Sequence, residues 1–68
     1  MKIFEAVVTK ARLCGLHEVI VTGLENFSVV LIVPPNSRQI VYRGLKIQIV
    51  VLRQHHHYLD VVLYKIKP

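Results

Sequence analysis

The chain has 68 residues, of which 53% are apolar, nine are Lys or Arg, four are Asp or Glu and one is cysteine, giving a formal net charge of +5. A chain this short buries only about 60% of the surface its unfolded form exposes, so it holds one small domain, 1–68, that needs a stabilising aid. The single cysteine excludes an internal disulfide, points to a reducing compartment and leaves metal or self-association as the aid.

In chain order, Ile3, Phe4, Val7, Val8, Ala11 and Cys14 recur at helical spacing, with Lys2, Glu5, Lys10 and Arg12 on the other side. That periodicity predicts an amphipathic helix over residues 2–14, closed by Gly15 as its cap, with Cys14 as a small buried apolar residue. The β-branched Val7, Val8 and Thr9 make a strand the competing reading. Beyond Gly15 the pattern turns to β, with a strand at Glu18–Gly23, a bend at Glu25 and Asn26, and a buried strand at Phe27–Val33. The segment PPNS (Pro34–Ser37) predicts a turn, and Arg38–Arg43 its hairpin partner. Gly44 permits a sharp change of direction before a strand at Leu45–Leu52. Arg53–His57 reads as a polar connector, and Tyr58–Lys67 as the last strand.

The apolar runs Val29–Val33, Ile49–Leu52 and Val61–Leu63 place consecutive apolar side chains on opposite faces of a strand. Both faces then need cover, which predicts a closed barrel or subunits packed on one another as a homo-oligomer. Charges and prolines interrupt every apolar run well short of the ~20 residues of a membrane span, and MKIFEAVVTKA lacks a signal-peptide core. The expectation is a cytoplasmic protein with no membrane partner.

A bias of +5 on so small a domain favours polyanions. The segment VYRGLKIQIVVL (Val41–Leu52) resembles the second Sm motif of Sm-like RNA-binding proteins, in which an Arg-Gly corner joins the last two strands of a small barrel. Upstream, GLENFSVVL (Gly23–Leu31) resembles the glycine–acid–Phe stretch of the Hfq-type members. The resemblance implies a toroidal homo-oligomer whose rim contacts RNA. It assigns base contacts to Glu25, Asn26 and Phe27, and a second contact to Tyr42 and Arg43. A rival resemblance links GLHEVIVTG (Gly15–Gly23) and the C-terminal basic hairpin to Alba-type nucleic-acid-binding proteins. From charge and aromatic stacking, the binding set comprises Arg38, Tyr42, Arg43, Lys46, Arg53, Tyr58, Lys65 and Lys67.

In an extended segment, His55 and His57 would point the same way and could share a metal ion, with His17, Cys14 or a symmetry mate as third ligand. The spacing matches no metal motif, and a solvated loop is the preferred reading. Thr9, Thr22, Ser28 and Ser37 lie in no nucleophile motif, Glu18, Glu25 and Asp60 are scattered, and no phosphate-binding Gly loop is present. The expected function is therefore non-catalytic and cofactor-free. The chain is read as mainly β (α+β), an N-terminal helix followed by four to five antiparallel strands in a small Sm/SH3-like barrel or sheet. It would bind RNA (or DNA), single-stranded RNA first, as a homo-oligomer. The alternative is an assembly module whose apolar strands recruit a protein.

Overall fold

The structure, a computed structural model, describes residues 2–34 and 41–66. It contains five strands, β1 (Ile3–Lys10), β2 (Leu16–Val21), β3 (Ser28–Ile32), β4 (Lys46–His55) and β5 (Tyr58–Ile66), and no helix among the described residues. They close into a barrel in the order β1-β2-β3-β5-β4, with β4 returning to β1.

The expected helix over 2–14 is a strand followed by a turn. Phe4, Ala6 and Val8 face the interior, whereas Ile3, Glu5, Val7 and Thr9 face outward. The apolar pairs at 3–4 and 7–8 satisfy a helical period, but they place one member on each face of a strand equally well. Two factors favour the strand. Val7, Val8 and Thr9 are β-branched, and β1 finds hydrogen-bonding neighbours on both edges, in β2 and β4. Cys14, expected to be buried, is exposed. Gly15 does adopt a positive φ, +85°, but as part of the β1–β2 connection. There its amide donates to Arg12 O at 3.2 Å and its carbonyl accepts from Val33 N at 2.9 Å.

The strands after Gly15 lie close to their expected positions, except at two places. β2 and β5 occupy both edges of β3, so residues 41–43 of the hairpin partner expected at Arg38–Arg43 do not pair with it. Residues 41–43 carry no strand, and 38–40, like the turn at 35–37, lie outside the described residues. The connector expected at Arg53–His57 is mostly strand: β4 runs to His55, and only His56 and His57 form the turn. The pairing is also not wholly antiparallel. β3 and β5 run parallel, Ser28 to Ile32 beside Tyr58 to Val62, while the other four pairings are antiparallel.

Alternation then sorts the side chains. Val19 and Val21, Val29 and Leu31, Ile47 and Ile49, and Leu59 and Val61 fill the interior with Ala6 and Val8. Register interruptions in β1–β2 and β4–β5 supply the bends a narrow barrel needs. On the outside, successive partners Leu16, Ile32, Val62, Val50 and Ile3 form an apolar row across all five strands. Ile3 and Leu16 in that row are exposed, and the other three are half-buried. No helix is long and apolar enough to cross a membrane among the described residues.

Gly15 and Gly44 separate two costs. A Cβ on Gly15 would lie 2.6 Å from the backbone oxygen of Val33, whereas one on Gly44 (φ +93°) would meet nothing within 4 Å. Gly44→Ala should therefore cost only the positive-φ penalty, about 1–2 kcal/mol, and Gly15→Ala clearly more. Thermal unfolding of both variants checks this, and equal shifts in Tm would show that the approach to Val33 carries no weight.

Candidate nucleic-acid interface

The β4–β5 turn and the start of β3 build one end of the barrel. The β4–β5 turn places His56 at a φ of 53°, and Ser28 N donates to His57 O at 2.8 Å, fastening the turn to β3. Short two-residue hairpins favour positive φ, and histidine is among the residues that tolerate it better than most. On the opposite flank, the β1–β2 connection carries Arg12, whose guanidinium forms a salt bridge with Glu18. Between these turns, over the outer faces of β2 and β3, lies a groove of about 480 Å³. Thr9, Arg12, Glu18 and Ile20 form one side of it, and Phe27, Ser28, Val30 and Tyr58 the other. Tyr58 is 58% exposed and free to offer a ring face.

Beneath the Arg12 turn lies His17, the only buried polar side chain among the described residues, at 6% exposure. Its Nδ1 accepts the Arg12 backbone N–H at 3.0 Å, which fixes the proton of the neutral ring on Nε2. Burial pushes its pKa below the ordinary histidine value. At the neighbouring bend, the Gly23 amide donates to both carboxylate oxygens of Glu25 at 3.1 Å. That bond, with a contribution from Glu25's own amide, holds the carboxyl below its usual range. Glu25 thus ties down the turn.

The other end of the barrel, where β1 runs into the β1–β2 connection, holds the Arg-Gly corner. Leu45 N donates to Tyr42 O at 3.1 Å around Arg43 and Gly44, and the positive φ of Gly44 suits the third position of a type II turn. Reciprocal bonds between Val8 and Gly44–Leu45 clamp the corner to β1. It therefore leads into β4, and the last two strands are joined instead at His56–His57.

The sequence-derived binding set is split between these ends. Phe27, Arg53 and Tyr58 lie toward the β4–β5 turn, as do Glu25 and Asn26 in the bend before β3. Tyr42, Arg43, Lys46 and Lys65 gather at the far end of β4, where Lys46 lies about 23 Å from Arg53 along the strand. Arg38 and Lys67 lie outside the described residues. Ion pairing divides the cations further. Arg53 pairs with Asp60 at 3.2 Å and Arg12 with Glu18, whereas Arg43, Lys46 and Lys65 have no ion pair among the described residues. The Glu5 carboxylate, which accepts from Gln48 Nε2 at 3.3 Å, lies on the same outer row as Lys65.

His55 and His57 are not in one extended segment. His55 ends β4 with its Nε2 3.3 Å from Asp60 Oδ2, while His57 lies in the turn. No cluster of three potential metal ligands occurs among the described residues. Arg12, Glu18, Thr9 and Ile20 were not singled out from the sequence, since a helix over 2–14 places Arg12 on a solvated face. The strand alternation at Phe4, Ala6 and Val8 was the signal that could have found them. Comparison with known protein families, with curated proteins and with solved structures finds no match.

The buried His17 predicts a pH dependence. Its folded pKa is depressed, so the unfolded chain takes up its proton first. Its contribution to stability is complete above the unfolded value near 6.5, falls as pH drops below it, and levels off below the folded value. His17→Asn retains an acceptor near Nδ1 and removes this titration. Melting curves between about pH 7 and pH 5 should therefore show a steeper loss of stability in the wild type than in the variant. Parallel profiles would mean that His17 is not the titrating group.

Proposed function

We propose that the protein binds single-stranded nucleic acid without catalysis, RNA ahead of DNA, and does so as a homo-oligomer. The groove carries this reading: it joins exposed aromatic surface, hydroxyls and an arginine on one barrel face. Base stacking on aromatic rings is the usual means of holding single strands, and unpaired cations along the path hold the phosphates. Exposed Tyr58 supplies the stacking surface beside half-buried Phe27, and Arg43, Lys46 and Lys65 supply cations not neutralised by a described carboxylate. The strand order, with β3 and β5 parallel, matches the oligonucleotide/oligosaccharide-binding (OB) barrel. Barrels of that kind bind ligands on the β2–β3 face between the β1–β2 and β4–β5 loops, where this groove lies. The likeness is architectural, so the reading rests on the side chains. The Sm-like and Alba-type sequence resemblances favour the same class of ligand, and the Sm-like stretch is the reason for placing RNA first.

A second reading, an assembly module, draws on the outer apolar row Leu16–Ile32–Val62–Val50–Ile3. The row also supports self-association in the first reading, since a closed barrel has no sheet edge to offer a partner and must associate through side chains.

Fluorescence anisotropy of short single-stranded RNA and duplex DNA, at low and moderate salt, separates the readings. Tight binding to the single strand that weakens with salt is expected; no binding even at low salt leaves the assembly module. Two variants apportion the contacts. Tyr58→Ala should lose about 1–3 kcal/mol of affinity with the salt slope unchanged. Arg43→Ala should flatten that slope by about 0.7, one phosphate contact on a single strand, with the fold intact. An unchanged slope makes the Arg-Gly corner structural only.

A further inference from the structure

We propose that the Arg12–Glu18 pair reads the Watson–Crick edge of a base held in the groove and selects cytosine or guanine over uracil. The inference rests on the nucleic-acid reading above and adds base identity to it. Both side chains line the groove and are close to half exposed, at 44% and 46%, so their polar atoms face a ligand. With Glu18 beside it, Arg12 is a poor phosphate anchor, because the carboxylate cancels its charge and repels an approaching anion. The pair is instead a donor next to an acceptor. Among the described residues the salt bridge engages one terminal nitrogen of Arg12 and only Oε2 of Glu18. The remaining N–H groups and Oε1 are available to a ligand.

The pattern matches some bases and opposes others. Cytosine presents a donor amino group followed by two acceptors, N3 and O2. Guanine presents an acceptor, O6, followed by two donors, N1–H and N2–H. Either edge can meet a carboxylate with its donors and a guanidinium with its acceptors, as Glu does with the cytosine amino group and Arg with guanine O6 in other settings. Adenine offers a two-point match through its amino group and N1. Uracil has a single donor flanked by carbonyls on both sides, so one carbonyl must face the Glu18 carboxylate.

The pair is also held in place before any ligand arrives, as a reader of base edges requires. The Arg12 amide is bonded to buried His17, and the Arg12 carbonyl accepts from Gly15 N. Glu18 lies within β2, in register with Lys10 and Val30, and its carbonyl accepts the Thr9 hydroxyl at 3.2 Å. Ser28, two residues before Val30 on β3, is the partner of Tyr58. The strand carrying Tyr58 thus lies two strand spacings, about 10 Å, from that of Glu18. A base stacked on Tyr58 can turn its edge toward the pair.

The test compares anisotropy titrations of RNA decamers of oligo(C), oligo(A) and oligo(U), and of a uridine decamer with one central guanosine. The wild type should bind oligo(C) at least about tenfold more tightly than oligo(U), with oligo(A) between them and the single guanosine tightening the uridine strand. Glu18→Gln should bring the oligo(C)/oligo(U) ratio near one without weakening oligo(U). Arg12→Lys, which keeps the charge but loses the planar fork, should also lower the ratio and decides the matter if the first variant fails to fold. Equal affinities in the wild type, or a ratio unchanged in both variants, overturns the edge-reading role and leaves the nucleic-acid reading standing. Failure of every strand to bind at low salt overturns both.

Discussion

The parallel contact between β3 and β5 is the constraint on which the molecule depends. Antiparallel neighbours β1 and β2, β2 and β3, and β4 and β5 are each joined by a short connection, and alone they would give a three-stranded sheet and a separate hairpin. The barrel closes because β5 runs beside β3 over Ser28–Ile32 while β4 returns to β1. That closure brings Val29, Leu31, Leu59 and Val61 together inside with Ile47 and Ile49. It also sets Tyr58 next to Ser28, so the same ladder that completes the core supplies the aromatic wall of the groove.

The local parts of this arrangement were legible in the sequence. The strands around Val29–Val33 and Leu45–Leu52 follow from β-branched apolar runs between turn residues, and Gly44 announced its corner. The helix over 2–14 was a misreading with a physical origin, because apolar pairs four residues apart fit both periods. Only the surrounding strands decide between them, and those are distant in sequence. The same non-locality hid the parallel pairing, since nothing in Ser28–Ile32 specifies that a segment thirty residues later lies alongside it. The candidate site was half legible. Tyr58 stood out as an aromatic residue near cations, and Phe27 through the resemblance to the Hfq-type stretch. Arg12 and Glu18 did not, because their significance comes from the β1–β2 turn that brings them together on one side of the groove.

The apolar runs raised the question of cover on both faces, and the barrel answers it for one face only. Val29, Leu31 and Val33 point inward and are buried, while Val30 and Ile32 between them remain half-buried on the outside. The outer row is thus the unresolved half of the same pattern, and it gives self-association a physical motive. The charges follow a similar division. Two arginines are committed to carboxylates near the groove, while Arg43, Lys46 and Lys65, without such partners among the described residues, lie toward the Arg-Gly corner. A ligand running from the groove to the corner would be gripped by stacking and edge contacts in the first and by phosphate attraction at the second.

The position of β5 between β3 and β4 also bears on how the chain reaches this state. Until residues Tyr58–Ile66 are in place, β3 and β4 each have one edge with unmet backbone donors and acceptors. A partly formed barrel is therefore open along that seam, and the loop that must close to fill it spans half the chain. Such distant pairings are slow to form compared with hairpins. While the seam stays open, its two bare edges are the places where neighbouring molecules could add a strand. Folding speed and freedom from aggregation are thus set by the final strand, and a weakening of β5 would be felt first as misassembly during folding.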